Sequence, residues 1–332
     1  MSSPTAGPAD MRRAFADTLI ELGAHDERIV VLDNDVGLTT LSNAFKDTYP
    51  GRYIDLGVAE KNLFGTAAGL AAAGMIAVPT TFAVFATRCA LDQIAISIAS
   101  ANLDVKIPGH YIGGSRAGAS HIAVEDLAVF RALPNMRVAD PADSAELRAV
   151  MRTAFETPGP VYFRVYKLAT PDVFGPDHQF EWGRGIRLTE GQDVSLFGTG
   201  MMTSFNLEAA RLLRAGGVSA DVVHLASVKP IDADLIAESA GHTGAAVTTE
   251  LASIVGGFGS AVAEVLGERC PVSLRRIGYR DEWVHSGAIG QILERHRLRP
   301  VDIAAAAAQA ILARDAGRAG GPGLVDLPPG NA

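Results

Sequence analysis

Short β-branched apolar runs alternate with longer amphipathic stretches along most of the chain, and this alternation predicts an α/β fold made of two parallel-sheet domains. Two further observations agree. The length of 332 residues exceeds one compact core of ordinary size. The rhythm also breaks once, between Ala169 and Gly191, where prolines and glycines replace periodic apolar positions. The expected division is a flexible N-terminus at 1–10, a first domain at 11–170, a linker at 171–192, a second domain at 193–314 and a flexible tail at 315–332.

In the first domain the pattern predicts strands at Arg28–Leu32, Met75–Thr80, Val105–Pro108, Met136–Ala139 and Val161–Val165. Helices are expected at Met11–Leu22, Ala59–Ala73, Ala83–Ser100, Val124–Leu133 and Ser144–Phe155, the last capped by Asp143 or Ser144. In the second, strands fall at Val194–Phe197, Ala220–Leu225, Ala245–Thr249 and Val272–Arg276. Helices there are expected at Ser204–Leu213, Ala233–Ser239, Gly259–Leu266, Ala288–His296 and Val301–Leu312.

Composition narrows the function. With 29 basic and 37 acidic residues the net charge is −8, which argues against nucleic-acid or anionic-membrane binding, both of which need concentrated positive charge. Two cysteines, Cys89 and Cys270, form no paired motif, so a disulfide framework or structural zinc is not expected and a reducing cytoplasm fits. No apolar run is long enough to span a bilayer.

Three segments carry the chemistry. Arg52 to Asn62 reads as a strand, a glycine turn at Gly57 and a helix whose first turn holds Glu60. Glu60 is either a surface residue favoured by the helix dipole or, at the carboxyl end of a parallel strand, a ligand-facing group. In Thr81-Phe82-Ala83-Val84-Phe85-Ala86-Thr87-Arg88, the two phenylalanines and the arginine share a helical face. That face is either a core stripe or a seat for a flat heteroaromatic ring. The third segment is Thr249-Glu250-Leu251-Ala252-Ser253-Ile254-Val255-Gly256-Gly257-Phe258-Gly259. Gly198-Thr199-Gly200 follows a strand but lacks the remaining features of a dinucleotide site.

Together, and in this order, these segments resemble the transketolase family from about Met11 to Leu312, with a pyrimidine-binding domain followed by a C-terminal domain. The resemblance implies thiamine diphosphate as cofactor, with Glu60 hydrogen-bonded to its aminopyrimidine ring and promoting proton loss from its reactive carbon. It implies that Phe82 and Phe85 form the aromatic shelf, and that Arg88 and Asp35 lie close to the cofactor; Asp35 is alternatively a loop cap. His121 matches a histidine that contacts the substrate oxygen, where imidazole can exchange a proton near neutral pH. Lys167 stands where relatives carry a phosphate-binding arginine, with Arg164 and His110 as further substrate-binding candidates. Ala117 stands where sugar-using relatives carry an acidic residue.

The family's diphosphate-binding half, with its Gly-Asp-Gly and Asn ligands for Mg2+, has no counterpart in the chain. The sequence is therefore expected to be one subunit of a split transketolase, active with a partner that holds the magnesium, in a complex with two copies of each chain. The alternatives are the β subunit of a 2-oxo acid dehydrogenase decarboxylase and a non-catalytic scaffold.

Overall fold

The structure, a computed structural model, describes residues 10–319 except Ser115, Leu168 and Ala169. The first half opens with α1 (Met11–His25), β1 (Ile29–Asp33), α2 (Gly37–Thr40), α3 (Asn43–Thr48), β2 (Tyr53–Asp55) and α4 (Glu60–Ala72). It continues through β3 (Ile76–Phe82), α5 (Ala83–Arg88), β4 (Lys106–His110), α6 (Asp126–Ala132), β5 (Arg137–Ala139), α7 (Ser144–Glu156) and β6 (Val161–Val165). The second half runs β7 (Ile186–Thr189), β8 (Val194–Gly198), α8 (Met202–Ala215), β9 (Ala220–His224), β10 (Ser227–Lys229) and α9 (Ala233–Thr243). It closes with β11 (Ala245–Ser253), α10 (Phe258–Arg269), β12 (Ser273–Tyr279), α11 (Ile289–Arg295) and α12 (Pro300–Ala319).

Local chemistry explains the boundaries. Asp10 accepts a hydrogen bond from Arg12 N at 3.0 Å and so starts α1, which takes it out of the expected flexible terminus. Asp143 caps α7 through Glu146 N at 2.9 Å. Strands β1, β3 and β4 are buried along their whole length, as parallel strands covered on both faces must be.

The first sheet has the order β10-β5-β6-β4-β3-β1-β2 and the second β12-β11-β8-β9-β7. Both are mainly parallel, but two strands depart from the expectation. β7 lies within the expected linker and pairs antiparallel with β9. β10 leaves the second domain and pairs antiparallel with β5, Ser227 opposite Ala139, so it extends the first sheet. Three- and four-residue strands of this kind are defined by their partner and carry too little periodicity to be read alone. The expected helix at Ala83–Ser100 is also interrupted: α5 stops at Arg88 and a π-helix covers Gln93–Ala99. At the other end α12 runs to Ala319, past the expected start of the tail at 315. Arg314 anchors it there, donating to the carbonyls of Asp193 and Thr243 at 2.7 and 2.8 Å. The segment before Asp10 and the rest of the tail lie outside the described residues.

A buried ionic cluster joins the domains. Arg164 on β6 is wholly buried and makes two hydrogen bonds to Asp126, at 2.6 and 2.8 Å, with a third to Asp140 at 3.3 Å. The Tyr162 and Tyr166 hydroxyls donate to the same two carboxylates at 2.5 and 2.7 Å, and Arg164 also reaches the Leu251 carbonyl of β11 at 3.4 Å. Burial raises the proton affinity of Asp126, yet the Arg164 charge outweighs it and holds the carboxyl below its usual range. The expectation that Arg164 contacts substrate is thus corrected: its donors are taken by Asp126, Asp140, Tyr166 and the Leu251 carbonyl.

Candidate functional site

Strands β4, β3, β1 and β2 are neighbours and parallel, so their carboxyl ends share one edge of the first sheet. Open α/β sheets bind ligands at such edges. The loops leaving this edge carry most of the expected site residues.

After β2 the chain turns through Gly57, at φ +67°, and enters α4 at Glu60. Glu60 is half-buried, and its Oε1 accepts a hydrogen bond from Asn34 Nδ2 at 3.2 Å. Asn34, just beyond β1, is 1% exposed, and its Oδ1 is buried without a partner. The sequence reading missed Asn34 because it rested on the acidic neighbours. Asp33 organises the loop: its carboxylate accepts from Val36 N and Gly37 N at 3.1 and 3.0 Å and from the Thr80 hydroxyl at 3.0 Å. Burial pushes its proton affinity up. Asp35, at φ 63°, is exposed and makes neither the expected cap nor another side-chain hydrogen bond among the described residues.

Phe82 ends β3 and Phe85 lies one turn into α5, which stacks the rings with centroids 5.5 Å apart. Tyr111, just past β4, stacks on Phe82 at 4.5 Å and extends the platform, although no motif marks it in the sequence. His121 packs edge-on against Phe85 at 5.6 Å, with Nδ1 2.8 Å from the Ser120 hydroxyl. Lys167 is exposed at the other side of Tyr111, its Nζ 3.1 Å from the phenol oxygen and 4.6 Å from the ring centre. Tyr111, Arg116 and Lys167 face Gly287 and Ile289 across a cavity of about 480 Å3.

Two expectations change. Arg88 does not point its donors at the aromatic platform: they engage Glu125 and the Ala119 carbonyl, at 3.0 and 2.7 Å, and tie down the loop that bears His121. The same loop is held by the second domain, where the Tyr279 hydroxyl donates to the Gly113 carbonyl. His110 is 2% exposed and packs edge-on against Phe15. Burial lowers its pKa to about 3, so it is neutral, and it lies outside the cavity beside Tyr111 with both ring nitrogens buried and unpartnered.

Among the described residues no group of three or more His, Cys, Asp or Glu side chains converges to hold a metal ion. No described helix is long and apolar enough to cross a membrane.

Comparison with known proteins gives the family. Residues 7–172 match transketolase, pyrimidine binding domain, and residues 183–303 match transketolase, C-terminal domain. The chain is 40% identical to the 6-deoxy-6-sulfo-D-fructose transketolase subunit of Clostridium sp. (strain MSTE9), over 90% of this chain and 93% of the relative. It is 38% identical to a putative transketolase C-terminal section of Methanocaldococcus jannaschii, over 89% of this chain and 94% of the relative. A solved split-gene transketolase, an inactive β4 tetramer, superposes with a TM-score of 0.86 at 45% identity, covering 91% of this chain and 98% of that one. The chain belongs to the transketolase family, as a subunit composed of its pyrimidine-binding and C-terminal domains.

Proposed function

We infer that this chain supplies the aminopyrimidine side of a thiamine-diphosphate site. Completed by a partner with a diphosphate-binding domain, it moves a two-carbon ketol unit from a ketose donor to an aldehyde acceptor. The observation that carries this reading is the meeting of Glu60, the Phe82–Phe85–Tyr111 stack and His121 at one sheet edge.

The residues fit the cofactor. A flat stack with a half-buried face at Phe85 suits a heteroaromatic ring. The orphaned Asn34 Oδ1 is a buried acceptor beside Glu60 that an amino group would satisfy. Thiamine diphosphate, when bound, supplies a carbon nucleophile that carries the two-carbon fragment between donor and acceptor. Glu60 has one oxygen fixed by Asn34, which leaves Oε2 to exchange a proton with the aminopyrimidine ring nitrogen. Ser120 engages His121 through Nδ1 and leaves Nε2 to meet the substrate oxygen. Asp35 is exposed on the loop next to Asn34, the residue bonded to Glu60.

Lys167 and Arg116 give the cavity beside Tyr111 a positive outer wall, which suits a sugar ending in an anion. The similar Clostridium protein is named for a sulfonated sugar, so the terminal anion is a phosphate or a sulfonate. At Ala117 a methyl group cannot accept a hydrogen bond from a sugar hydroxyl, so the substrate is read there by other groups.

The partner reading has its own support. Leu38 and Val58 are 84% and 77% exposed, on α2 and just before α4, in the two loops that carry Asn34 and Glu60. Large apolar side chains beside a catalytic carboxylate mark a surface that a second chain covers. In this reading the partner holds the Mg2+, two copies of each chain assemble, and the complex works in the cytosol, where the free Cys89 and Cys270 stay reduced.

The test is Glu60→Gln in the reconstituted pair. Loss of a general acid–base group should lower turnover by roughly 10²–10⁴-fold with the fold intact by circular dichroism. Wild-type turnover in this variant contradicts the assignment, and a wild-type pair that binds cofactor but transfers no ketol unit supports the scaffold.

A further inference from the structure

A separate cavity of about 490 Å3 lies in the second domain between β12, α11 and α12. Arg275, Arg280, Arg295 and Arg297 line it, together with His296 and Gln309. Among the described residues none of these four guanidinium groups is paired with a carboxylate. Arg275 and Arg280 instead donate to main-chain carbonyls, of Leu274 at 3.4 Å and Arg276 at 3.1 Å. Glu282 and Asp302 also border the cavity, but Asp302 is already bound to Arg299 at 3.0 Å.

His296 supplies an independent observation. Its side chain is 3% exposed, and Nδ1 is buried without a hydrogen-bond partner; the nearest carboxylate, of Glu282, stands 3.6 Å away. Buried polar atoms are nearly always satisfied, so an orphaned imidazole nitrogen on a cavity wall points to a missing partner. Unpaired arginines on a convex surface are simply hydrated. Here four share one concavity, in a chain whose net charge is −8, and they repel one another until an anion enters. The guanidinium fork matches phosphate oxygens in pairs, and the volume is that of a small-molecule site.

We propose that this cavity binds a compact oligophosphate, a di- or triphosphate group that is either free or carried on a nucleotide. The proposal stands independently of the catalytic reading. It is tested by calorimetric titration of the full chain, and of the reconstituted complex, with inorganic pyrophosphate, ATP and sulfate at fixed ionic strength without divalent metal. One saturable pyrophosphate site per chain is expected, with sulfate at least about ten-fold weaker because it engages fewer guanidinium groups. ATP binding tighter than pyrophosphate identifies a nucleotide as the ligand, and equal affinity identifies the free oligophosphate. Replacing two exposed arginines, Arg295→Gln with Arg297→Gln, should weaken pyrophosphate by about 10²-fold or more, since each hydrogen bond to a charged group contributes roughly ten-fold. The melting temperature reports that this variant folds. Absence of a saturable site, equal affinity for sulfate, or an unchanged affinity in the folded double variant each overturns the proposal.

Discussion

Asn34 gives one hydrogen bond to Glu60 and keeps one buried oxygen without a partner, so its substitution acts first on the carboxylate. Asn34→Ala should lower kcat by about ten-fold, the size of a hydrogen bond to a charged group, with little change in KM for the sugar. Asn34→Asp should place two carboxylates side by side and raise the pKa of one, moving the acid limb of the pH–rate profile upward. A change in melting temperature with kcat and pH profile unmoved makes Asn34 a packing residue only. For Phe85→Ala the expected outcome is weaker cofactor binding by calorimetry; lost stability at unchanged affinity leaves it a core aromatic. Glu60 and the two phenylalanines were legible because a residue pattern at the end of a parallel strand implies a loop that faces ligand. Arg164 and His110 were not, because residue type does not reveal depth: one is sealed between domains and the other beside Phe15.

At the scale of elements, the segment from Tyr111 to Glu125 is shaped by contacts remote in sequence. Tyr279 on β12 holds the Gly113 carbonyl, and a side chain at Gly113, at φ +80°, would meet Leu251 at 2.2 Å. Tyr279→Phe leaves that carbonyl unsatisfied, at a cost of about 1–3 kcal/mol. The sugar KM should then rise several-fold and amide exchange between 113 and 124 accelerate; unchanged exchange would show that the hydroxyl does not hold the loop. This explains why the long helices and central strands were readable while β7 and β10 were not. The former carry their own periodicity and caps, as Asp143 does for α7, whereas the latter exist by pairing with β9 and β5.

The molecule as a whole depends on the seam between its domains. Glu146, on α7, accepts from Ala142 N at 2.7 Å and lies 2.8 Å from His224 Nε2 on β9. Burial raises its proton affinity, but His224 and the hydrogen bonds outweigh it and lower the pKa to about 2. An ordinary glutamate titrates near pH 4.3. A depressed folded value means the contribution is present above that pH and is lost as the pH falls from about 4.3 toward 2. Glu146→Gln should therefore be less stable than wild type at neutral pH, and the gap in urea midpoint should close on acidification; a gap independent of pH contradicts the lowered Glu146 pKa.

The central claim, that half of a thiamine-diphosphate site resides in this chain and the other half in a partner, is tested most directly by titrating the purified chain with the diphosphate-binding subunit. Ketol transfer from a ketose to an aldehyde is followed with thiamine diphosphate and Mg2+ present. The activity should be absent with either protein alone and should rise to a plateau at equal amounts of the two chains. Full ketol transfer by this chain alone, or none at any ratio, would contradict it.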